Sequence, residues 1–393
     1  MHHLKSFLVA LFIMTTLSIS LIVPQSVHAG GFSGTGAGVS GNPYVITSCA
    51  QFEQIKNRFL TDWFVLNNDI DCSGDGSSVM VGTSTPFTGN FDGQGHTITV
   101  NINAASNKVG LFAIANNATI ANLNVAGNII GNYYVGGIIG VSDSGGDTLT
   151  NDTVSATVSG AGYVGGLIGQ LNNYNTAVSL ISNSSTNGPI IGTDNYVGGL
   201  VGYIDDEGNS VTGDTTAVTI SGSSHVTGLV RGPQFTGGLV GEFYVDYTAN
   251  ATVTNSSVTS KVADTTSGYV GGLFGGLSLG ANNDAVTATF TGNNYSGLLQ
   301  STNSYVGGFA GEMVIDSFAT TSSTNVTVSN NTTSGTLSGA GFIGGLIGHG
   351  NIFGESGGSF GTTLTMTGNS SSMDVSGTDG SAGGLIGEID SYD

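Results

Sequence analysis

Three glutamates occupy the same place in a repeated glycine motif. Glu242, Glu312 and Glu388 each follow the last glycine of a Gly-Gly-x-x-Gly run. Paired carboxylates cleave glycosidic bonds, one as acid and the other as base or nucleophile. If each repeat forms one coil of a stack, these residues lie two rungs apart, roughly 10 Å, near the upper limit for an inverting pair. Gly276 and His349 stand in the intervening copies, which favours a solvated edge that avoids stacked like charges.

Acidic residues elsewhere suggest sugar chemistry or calcium. Asp69, Asp71 and Asp92 are the densest acids near the N-terminus, and Asp205–Asn209 and Asp143–Asp152 are acid- and glycine-rich loops. Calcium requires several oxygen ligands. Neither loop has the EF-hand spacing or the Gly-Gly-x-Gly-x-Asp repeat of calcium β-rolls. We therefore expect solvated turns, with no metal or cofactor required and calcium as the one possible exception.

The spacing of the histidines does not indicate a catalytic or metal-binding site. Beyond the N-terminal segment only His96, His225 and His349 remain, each more than 100 residues from the next. Neither a triad nor a metal-ligand spacing is present. We expect structural or surface histidines, no catalytic residue and no enzyme activity.

Composition and charge exclude several classes of protein. The 393 residues include 66 Gly and 38% hydrophobic residues, which argues for many short strands and turns and against disorder. The formal net charge is −20, with only 6 Lys and Arg. Nucleic acid and anionic membranes both require basic patches, so neither is an expected partner.

The N-terminus resembles an export signal. Lys5 precedes an apolar run from Phe7 to Val23, and Val27-His28-Ala29 supplies small residues for cleavage. We predict a signal peptide over residues 1–29, with a retained membrane anchor as the alternative. No later stretch is long and apolar enough to span a bilayer. The expected location is secreted or at the cell surface.

The two cysteines, Cys49 and Cys72, are expected to form a disulfide in an exported chain. Such a bridge would close a loop of about 24 residues and contribute roughly 3 kcal/mol. Two free buried thiols are the alternative.

Internal repetition is the strongest feature of the sequence. The hexapeptide Val135-Gly136-Gly137-Ile138-Ile139-Gly140 recurs seven times, 29 to 39 residues apart. The first glycines of the copies are Gly136, Gly165, Gly198, Gly237, Gly271, Gly307, Gly344 and Gly383. Segments between the copies alternate apolar residues with Thr or Ser, which is the strand period.

One such unit cannot bury its apolar face alone, so the repeats predict a right-handed parallel β-helix, with a β-propeller as the alternative. Glycines suit corners and close contact between coils, and Asn, Ser and Thr could stack as ladders. The predicted organisation is a cap and leader coils over 30–107 and a solenoid over 108–393. The sequence stops six residues after the last hexapeptide, so we expect either that it is a fragment or that Glu388–Asp393 or a partner caps the last coil.

An aromatic residue precedes most hexapeptides. The row comprises Tyr134, Tyr163, Tyr196, Phe235, Tyr269, Tyr305 and Phe342. It could stack outward against sugars, or pack as a corner or core ladder. We favour the core.

The segment before the repeats contains one amphipathic pattern. Phe52, Ile55 and Phe59 have helical spacing, and Ser48 is placed to cap the helix with Gln51 three residues later. We predict a helix over Cys49–Leu60 that covers the first coil, with Trp63 in the core of this cap.

The hexapeptides resemble the GLUG motif of bacterial secreted and surface proteins, and Phe87–Ile98 and Asn68–Ser73 resemble the leader that often precedes such repeats. Together the resemblance covers about residues 40–387. The resemblance implies a stalk or display module, as in adhesin-like proteins. GLUG repeats also occur beside metallopeptidases, but this chain has no His-Glu-x-x-His motif.

The predicted function is a non-catalytic extracellular structural or adhesive module. It would act as a monomer or within a larger surface assembly, with glycans and host or matrix proteins as expected partners. A polysaccharide-active β-helix enzyme that uses acidic residues is the alternative. An ice- or mineral-binding array is disfavoured, because the repeat lengths are irregular.

Overall fold

The computed structural model describes residues 31–56, 58–208, 215–222, 224–264, 266, 268–280, 285–302, 305–316, 323–353 and 361–392. The predicted signal peptide and Asn209 of one acidic loop lie outside these residues. One compact unit spans Phe32–Asp393. Among the described residues, no helix has the length and apolar character needed to cross a membrane.

Four parallel sheets form the walls of a β-solenoid, and each complete coil contributes to all four in the order sheet 1, 2, 3, 4. Strands that pair within a sheet come from successive coils. The predicted solenoid is therefore confirmed. The propeller alternative is wrong, because blades would pair strands that are close in sequence.

Sheet 1 has 11 strands. They are Tyr44–Ile46, Trp63–Leu66, Asn90–Asp92, Thr119–Ala121, Thr148–Thr150, Val178–Ser182, Thr216–Ser221, Ala249–Thr254, Val286–Thr291, Thr324–Ser329 and Thr363–Thr367.

Sheet 2 has 14 strands, because several coils cross it as two short pieces. They are Ile70–Cys72, Thr97–Asn103, Asn124–Ile130, Thr153–Val154, Thr157–Gly160, Ser185–Thr186, Ile190–Gly192, His225–Val226, Val230–Gly232, Ser257–Val258, Val262–Asp264, Asn294–Gln300, Thr332–Gly339 and Ser370–Gly377.

Sheets 3 and 4 have 8 and 9 strands. Sheet 3 comprises Tyr133–Gly136, Gly162–Gly165, Val197–Gly198, Phe235–Gly237, Tyr269–Gly271, Tyr305–Gly307, Ile343–Gly344 and Ala382–Gly383. Sheet 4 comprises Phe112–Ala115, Ile139–Ser142, Ile168–Tyr174, Val201–Glu207, Val240–Asp246, Phe274–Leu279, Ala310–Ile315, Ile347–Phe353 and Ile386–Tyr392.

The hexapeptide forms the corner between sheets 3 and 4. A Cβ on Gly198 would overlap the carbonyl oxygen of Val201, and a Cβ on Gly199 would overlap that of Gly238 in the next coil. Each first glycine from Gly136 to Gly383 meets the carbonyl oxygen three residues ahead in the same way. The glycines are thus required by close backbone contact, as predicted.

The turn between sheets 1 and 2 contains a buried polar ladder. The Asn293 amide group donates to Asn331 Oδ1 at 3.0 Å, and the Asn331 amide group donates to Asn369 Oδ1 at 3.0 Å. The Asn331 and Asn369 side chains also donate to the Phe290 and Val328 carbonyls. The predicted stacking of polar residues is confirmed in this turn.

The N-terminal cap differs from its prediction. The α-helix covers only Cys49–Phe52 and continues as a 3-10 turn over Glu53–Ile55, while a second 3-10 turn spans Gly76–Val79. The Ser48 side chain makes no capping bond. Gln51 instead accepts a hydrogen bond from the Thr47 N–H at 2.7 Å. A helix of 12 residues was wrong because Phe52, Ile55 and Phe59 are all buried without it.

Strand alternation also corrects the position of Trp63. Phe64 and Leu66 of the strand Trp63–Leu66 point into the core, so Trp63 faces outward and is 40% exposed. The predicted disulfide joins Cys49 of the helix to Cys72 of the first sheet 2 strand, with Cα atoms 5.3 Å apart. The bridge ties the cap to the leader coils.

Candidate functional site

The aromatic residues before the hexapeptides form a continuous stack along one outer corner of the solenoid. Successive ring centroids of this aromatic ladder, from Tyr134 to Phe342, lie 4.7 to 5.4 Å apart. That spacing matches the distance between neighbouring strands. One ring per coil therefore yields a ladder without gaps across seven coils.

The ladder lies outside the core, contrary to the core packing that we favoured. All seven rings are half-buried, while the residue after each ring, such as Val135 or Val164, is fully buried. Alternation along the strand explains this placement, since the inward position is already taken by Val, Thr or Ile. Tyr134 and Tyr163 have φ of 56°, in the left-handed region that bulky residues seldom occupy. Strain of this kind is concentrated at functional sites.

A second column of side chains runs beside the ladder on sheet 4. The register places Gln170, Tyr203, Glu242, Gly276, Glu312, His349 and Glu388 on successive rungs. The predicted alternation of the three glutamates with Gly276 and His349 is therefore real. We call the outward side chains of sheet 4 together with the aromatic ladder the sheet 4 face.

Rings in the second column join the ladder. The Tyr203 ring lies 4.8 Å from Tyr196 and 5.6 Å from Tyr163. The His349 ring stacks 4.9 Å from Tyr305 and 5.3 Å from Phe342. A Cβ on Gly276 would meet the ring of Phe235 at 2.7 Å, so Phe235 covers the space between Glu242 and Glu312.

Carboxylates are concentrated in the centre of this face. Burial is the main reason why the pKa values of Asp205, Glu207 and Glu242 are raised. For Glu207, repulsion from the neighbouring acids Asp205 and Asp246 is the second cause. The Tyr174 hydroxyl donates to Asp205 at 2.6 Å, and the Ser278 hydroxyl donates to Glu242 at 2.9 Å. These donors hold the carboxylates in place but add no positive charge.

His349 links two acids near the C-terminal end of the face. Its Nδ1 lies 3.6 Å from Glu312 Oε1, and its Nε2 lies 3.6 Å from Asp390 Oδ2. Burial raises the pKa of Glu312, and His349 opposes that rise. His349 is thus a half-buried structural residue, as expected, and it also belongs to this face.

The two acidic loops are not solvated turns. Asp205 to Glu207 belong to the strand Val201–Glu207, in which Asp206 points inward and is fully buried. Asp147 and Asp152 are also buried. Burial raises the pKa of Asp147 and of Asp206 to about 7. The prediction was wrong because sequence polarity does not reveal which strand positions face inward.

Each of these buried acids accepts a hydrogen bond at Oδ1, while its Oδ2 has no partner among the described residues. Asp147 Oδ1 accepts the Ala118 N–H at 2.7 Å, and Asp152 Oδ1 accepts the Leu123 N–H at 2.9 Å. Asp206 Oδ1 accepts from the Asn173 amide at 2.8 Å. Asp147, Asp152 and Asp206 therefore link adjacent coils through hydrogen bonds. The calcium expectation for these loops stays a prediction.

The acids of the leader do not converge on one site. Asp71 accepts the Ser73 N–H, and hydrogen bonds from the Ser73 side chain and then from its backbone lower the pKa of Asp71. Asp92 accepts the Gln94 N–H at 2.9 Å, and Asp69 accepts the Thr97 N–H at 2.8 Å. Asp71 and Asp92 each accept from a backbone N–H two residues ahead, whereas Asp69 links its coil to the next one, so each acid makes a structural contact.

The other predicted residues lie apart from the sheet 4 face. His96 approaches Asp69 with a separation of 3.3 Å, and His225 contacts Ser257 on sheet 2. Among the described residues, a metal-like grouping appears at Cys49, Cys72 and Asp75, where the disulfide occupies both sulfurs.

Sequence reasoning missed Tyr203 and Tyr244 and placed Asp205 in a loop, whereas all three lie on strands and are part-exposed beside the ladder. The available signal was the count from the last hexapeptide glycine. In the strand Val201–Glu207 the residue directly after that glycine is part-exposed, as are the third and fifth, and in Val240–Asp246 the third is.

Comparisons with known proteins give limited likenesses. The sequence matches no protein-family model, so the resemblance to GLUG repeats stays a prediction. Halomucin of Haloquadratum walsbyi is 31% identical over 153 residues, with 28% of this chain and 2% of halomucin covered. This chain thus spans a very small part of that curated relative.

A crystal structure from Bacteroides ovatus, provisionally named an immunoglobulin A1 protease, aligns with a TM-score of 0.48 and 18% identity. The alignment covers 86% of this chain and 88% of that chain. The assignment as a β-solenoid stands on the sheets and registers described above.

Proposed function

We propose that this protein is an extracellular or cell-surface structural and adhesive module that binds its ligand on the sheet 4 face without turnover. The observation that carries the proposal is the continuous, half-exposed aromatic ladder beside a column of polar and acidic groups. Aromatic rings supply large contact areas at low entropic cost, and adhesive surfaces use them as anchors.

The scaffold suits display. Each rung is fixed by backbone hydrogen bonds to both neighbours, so the ligand groups are held by strands and not by loops. The disulfide is compatible with an oxidising compartment, and the similarity to part of halomucin is compatible with a surface location. Glycans and host or matrix proteins are the proposed partner classes, for a monomer or a larger assembly.

The test is a binding screen of the exported full chain against glycan arrays and immobilised matrix proteins. A ligand should be found, and the double variant Tyr196→Leu/Phe235→Leu should bind it at least tenfold more weakly. The control is Trp63→Leu, which removes an exposed ring from sheet 1. If both variants bind as the wild type does, the ligand site lies elsewhere and the proposal fails.

A polysaccharide-active enzyme is the second candidate. Glu242 and Glu312 are two rungs apart, and both have a raised pKa, as a general acid requires. The Phe235 ring over Gly276 closes the space between them, which favours binding over cleavage. New reducing ends released from a polysaccharide by the wild type and not by Glu242→Gln would establish the enzyme instead.

A further inference from the structure

The sheet 4 face carries an unbalanced charge. Its strands carry seven carboxylates besides the inward Asp206, namely Asp205, Glu207, Glu242, Asp246, Glu312, Glu388 and Asp390; five are partly exposed, while Glu242 and Asp246 are buried. The described strands of sheet 4 contain neither Lys nor Arg. Of the described basic residues, Lys108 lies one coil before Tyr134 at the N-terminal end of the aromatic ladder, and Lys56, Arg58, Arg231 and Lys261 lie elsewhere. A ligand of opposite charge would relieve the repulsion between these acids.

The carboxylates are spread along the face and do not converge on a point. Apart from the disulfide region, the described residues bring no three metal-ligating groups within 4.8 Å of one another. A compact divalent ion would lack its several ligands here. An extended ligand with several separate positive groups fits the arrangement better.

The aromatic ladder is an independent indication of the same chemistry. A guanidinium or ammonium group is attracted to the face of an aromatic ring within about 6 Å of its centroid. Tyr196, Tyr203 and Tyr163 form a cluster of rings directly beside Glu242. Arg suits this combination best, because it stacks on rings and pairs with carboxylates through a planar fork.

We propose that the sheet 4 face binds an arginine- and lysine-rich segment of a partner protein, which rests on the adhesive function proposed above. Guanidinium groups pack against the exposed parts of the rings, and the partly exposed carboxylates beside the rings accept their N–H groups. One ring and one polar position recur per coil, so binding strengthens as the basic segment lengthens along the ladder.

The test measures binding of the full chain to three synthetic peptides of equal length, in which Ser alternates with Arg, Lys or Gln. The Arg peptide should bind most tightly, the Lys peptide several-fold more weakly and the Gln peptide not at all. Affinity should fall as salt rises, because the pairing is partly exposed. Dextran serves as a neutral glycan probe in the same series.

Variants matched in charge separate the face from the overall negative charge of the protein. Asp205→Asn/Glu242→Gln should weaken binding of the Arg peptide about tenfold or more. Asp374→Asn/Asp379→Asn, two exposed acids away from sheet 4, should change it less than about twofold. Tyr196→Leu, which keeps an apolar side chain, should cost about fivefold through the lost ring.

Each contrary outcome has a definite meaning. Equal losses in both acid pairs, or no binding of the Arg peptide, overturn the basic-segment proposal. Dextran binding that Tyr196→Leu weakens would overturn it too, while the adhesive function would stand with a neutral glycan as ligand. If arrays, peptides and dextran all fail to bind, the adhesive function itself fails.

Discussion

Two ladders of side chains run along this solenoid, and they differ in the interactions between neighbouring members. In the turn between sheets 1 and 2, Asn293 and Asn331 each accept from the preceding coil and donate to the following one. Asn369 accepts from Asn331 and donates to the Val328 carbonyl of the coil that contains Asn331. On the sheet 4 face, the rings stack on one another, but the neighbouring carboxylates have the same charge and repel one another. Stacked amides hydrogen-bond to one another and stabilise the stack of coils, while the stacked rings and acids can still bind a ligand at the surface.

The largest effect is expected where the coil spacing itself is set. Gly199→Ala places a Cβ into the Gly238 carbonyl oxygen of the next coil, so it should lower the free energy of unfolding by about 4 kcal/mol. The spacing of the aromatic ladder would be lost with it. Urea unfolding, followed by circular dichroism, measures this change.

Gly384→Ala is the matched control for that substitution. It is the equivalent glycine of the last described coil, and its Cβ would meet nothing within 4 Å. It should change stability by less than about 0.5 kcal/mol. Equal effects at Gly199 and Gly384 would refute close contact between coils as the reason for the glycine.

The amide ladder should be more sensitive than the aromatic ladder. Asn331→Ala leaves the Asn293 N–H and the Phe290 carbonyl buried without their partner, at an expected cost of about 3 kcal/mol. Tyr269→Leu on the aromatic ladder should cost about 1 kcal/mol, because the ring is half-buried and an apolar side chain remains. Thermal and urea unfolding of the two variants measures both losses. A larger loss for Tyr269→Leu than for Asn331→Ala would show that the rings, and not the amides, stabilise the stack of coils.

Asp152 occupies the ladder position that Asn holds in later coils, and burial raises the pKa of Asp152 well above its usual range. Its protonated form supplies a donor as an amide does. The stability from that form is present below about pH 4 and is lost as pH rises through the elevated pKa. Asp152→Asn should therefore be about 1 kcal/mol more stable than the wild type at pH 8.

The measurement is the stability of both proteins between pH 3 and pH 8. The difference should shrink toward acid pH, where Asp152 is already protonated. A difference that is constant across this range would show that Asp152 does not titrate as proposed.

The smallest effect concerns the His349 link. His349→Gln removes the group that opposes the upward shift in the pKa of Glu312, so that pKa should rise further. The stability change should stay below about 1 kcal/mol. Carboxyl NMR titration of Glu312 reports the shift, and an unchanged or lower pKa would contradict the contact.

Much of the architecture followed from the repeats. The hexapeptide predicted coils because no single unit could bury Val135 or Ile139, and glycine spacing marked the corner. The cap was predicted less well. Burial of Phe52, Ile55 and Phe59 needed only a short turn, and Trp63 was placed by strand alternation. The loop acids were misjudged, since Asp206 looks like part of a polar run but occupies an inward strand position.

The sequence by itself determined the coil, its corners, the disulfide partners and the order of the rings along the chain. All of these depend on local period and on residues that recur at a fixed step. Only the tertiary structure decided which side of the wall each ring and acid faces. The facing of each side chain depends on its odd or even position along the strand and on the register with residues about one coil away. For this reason Tyr203 packs beside the aromatic ladder and Asp206 lies in the core.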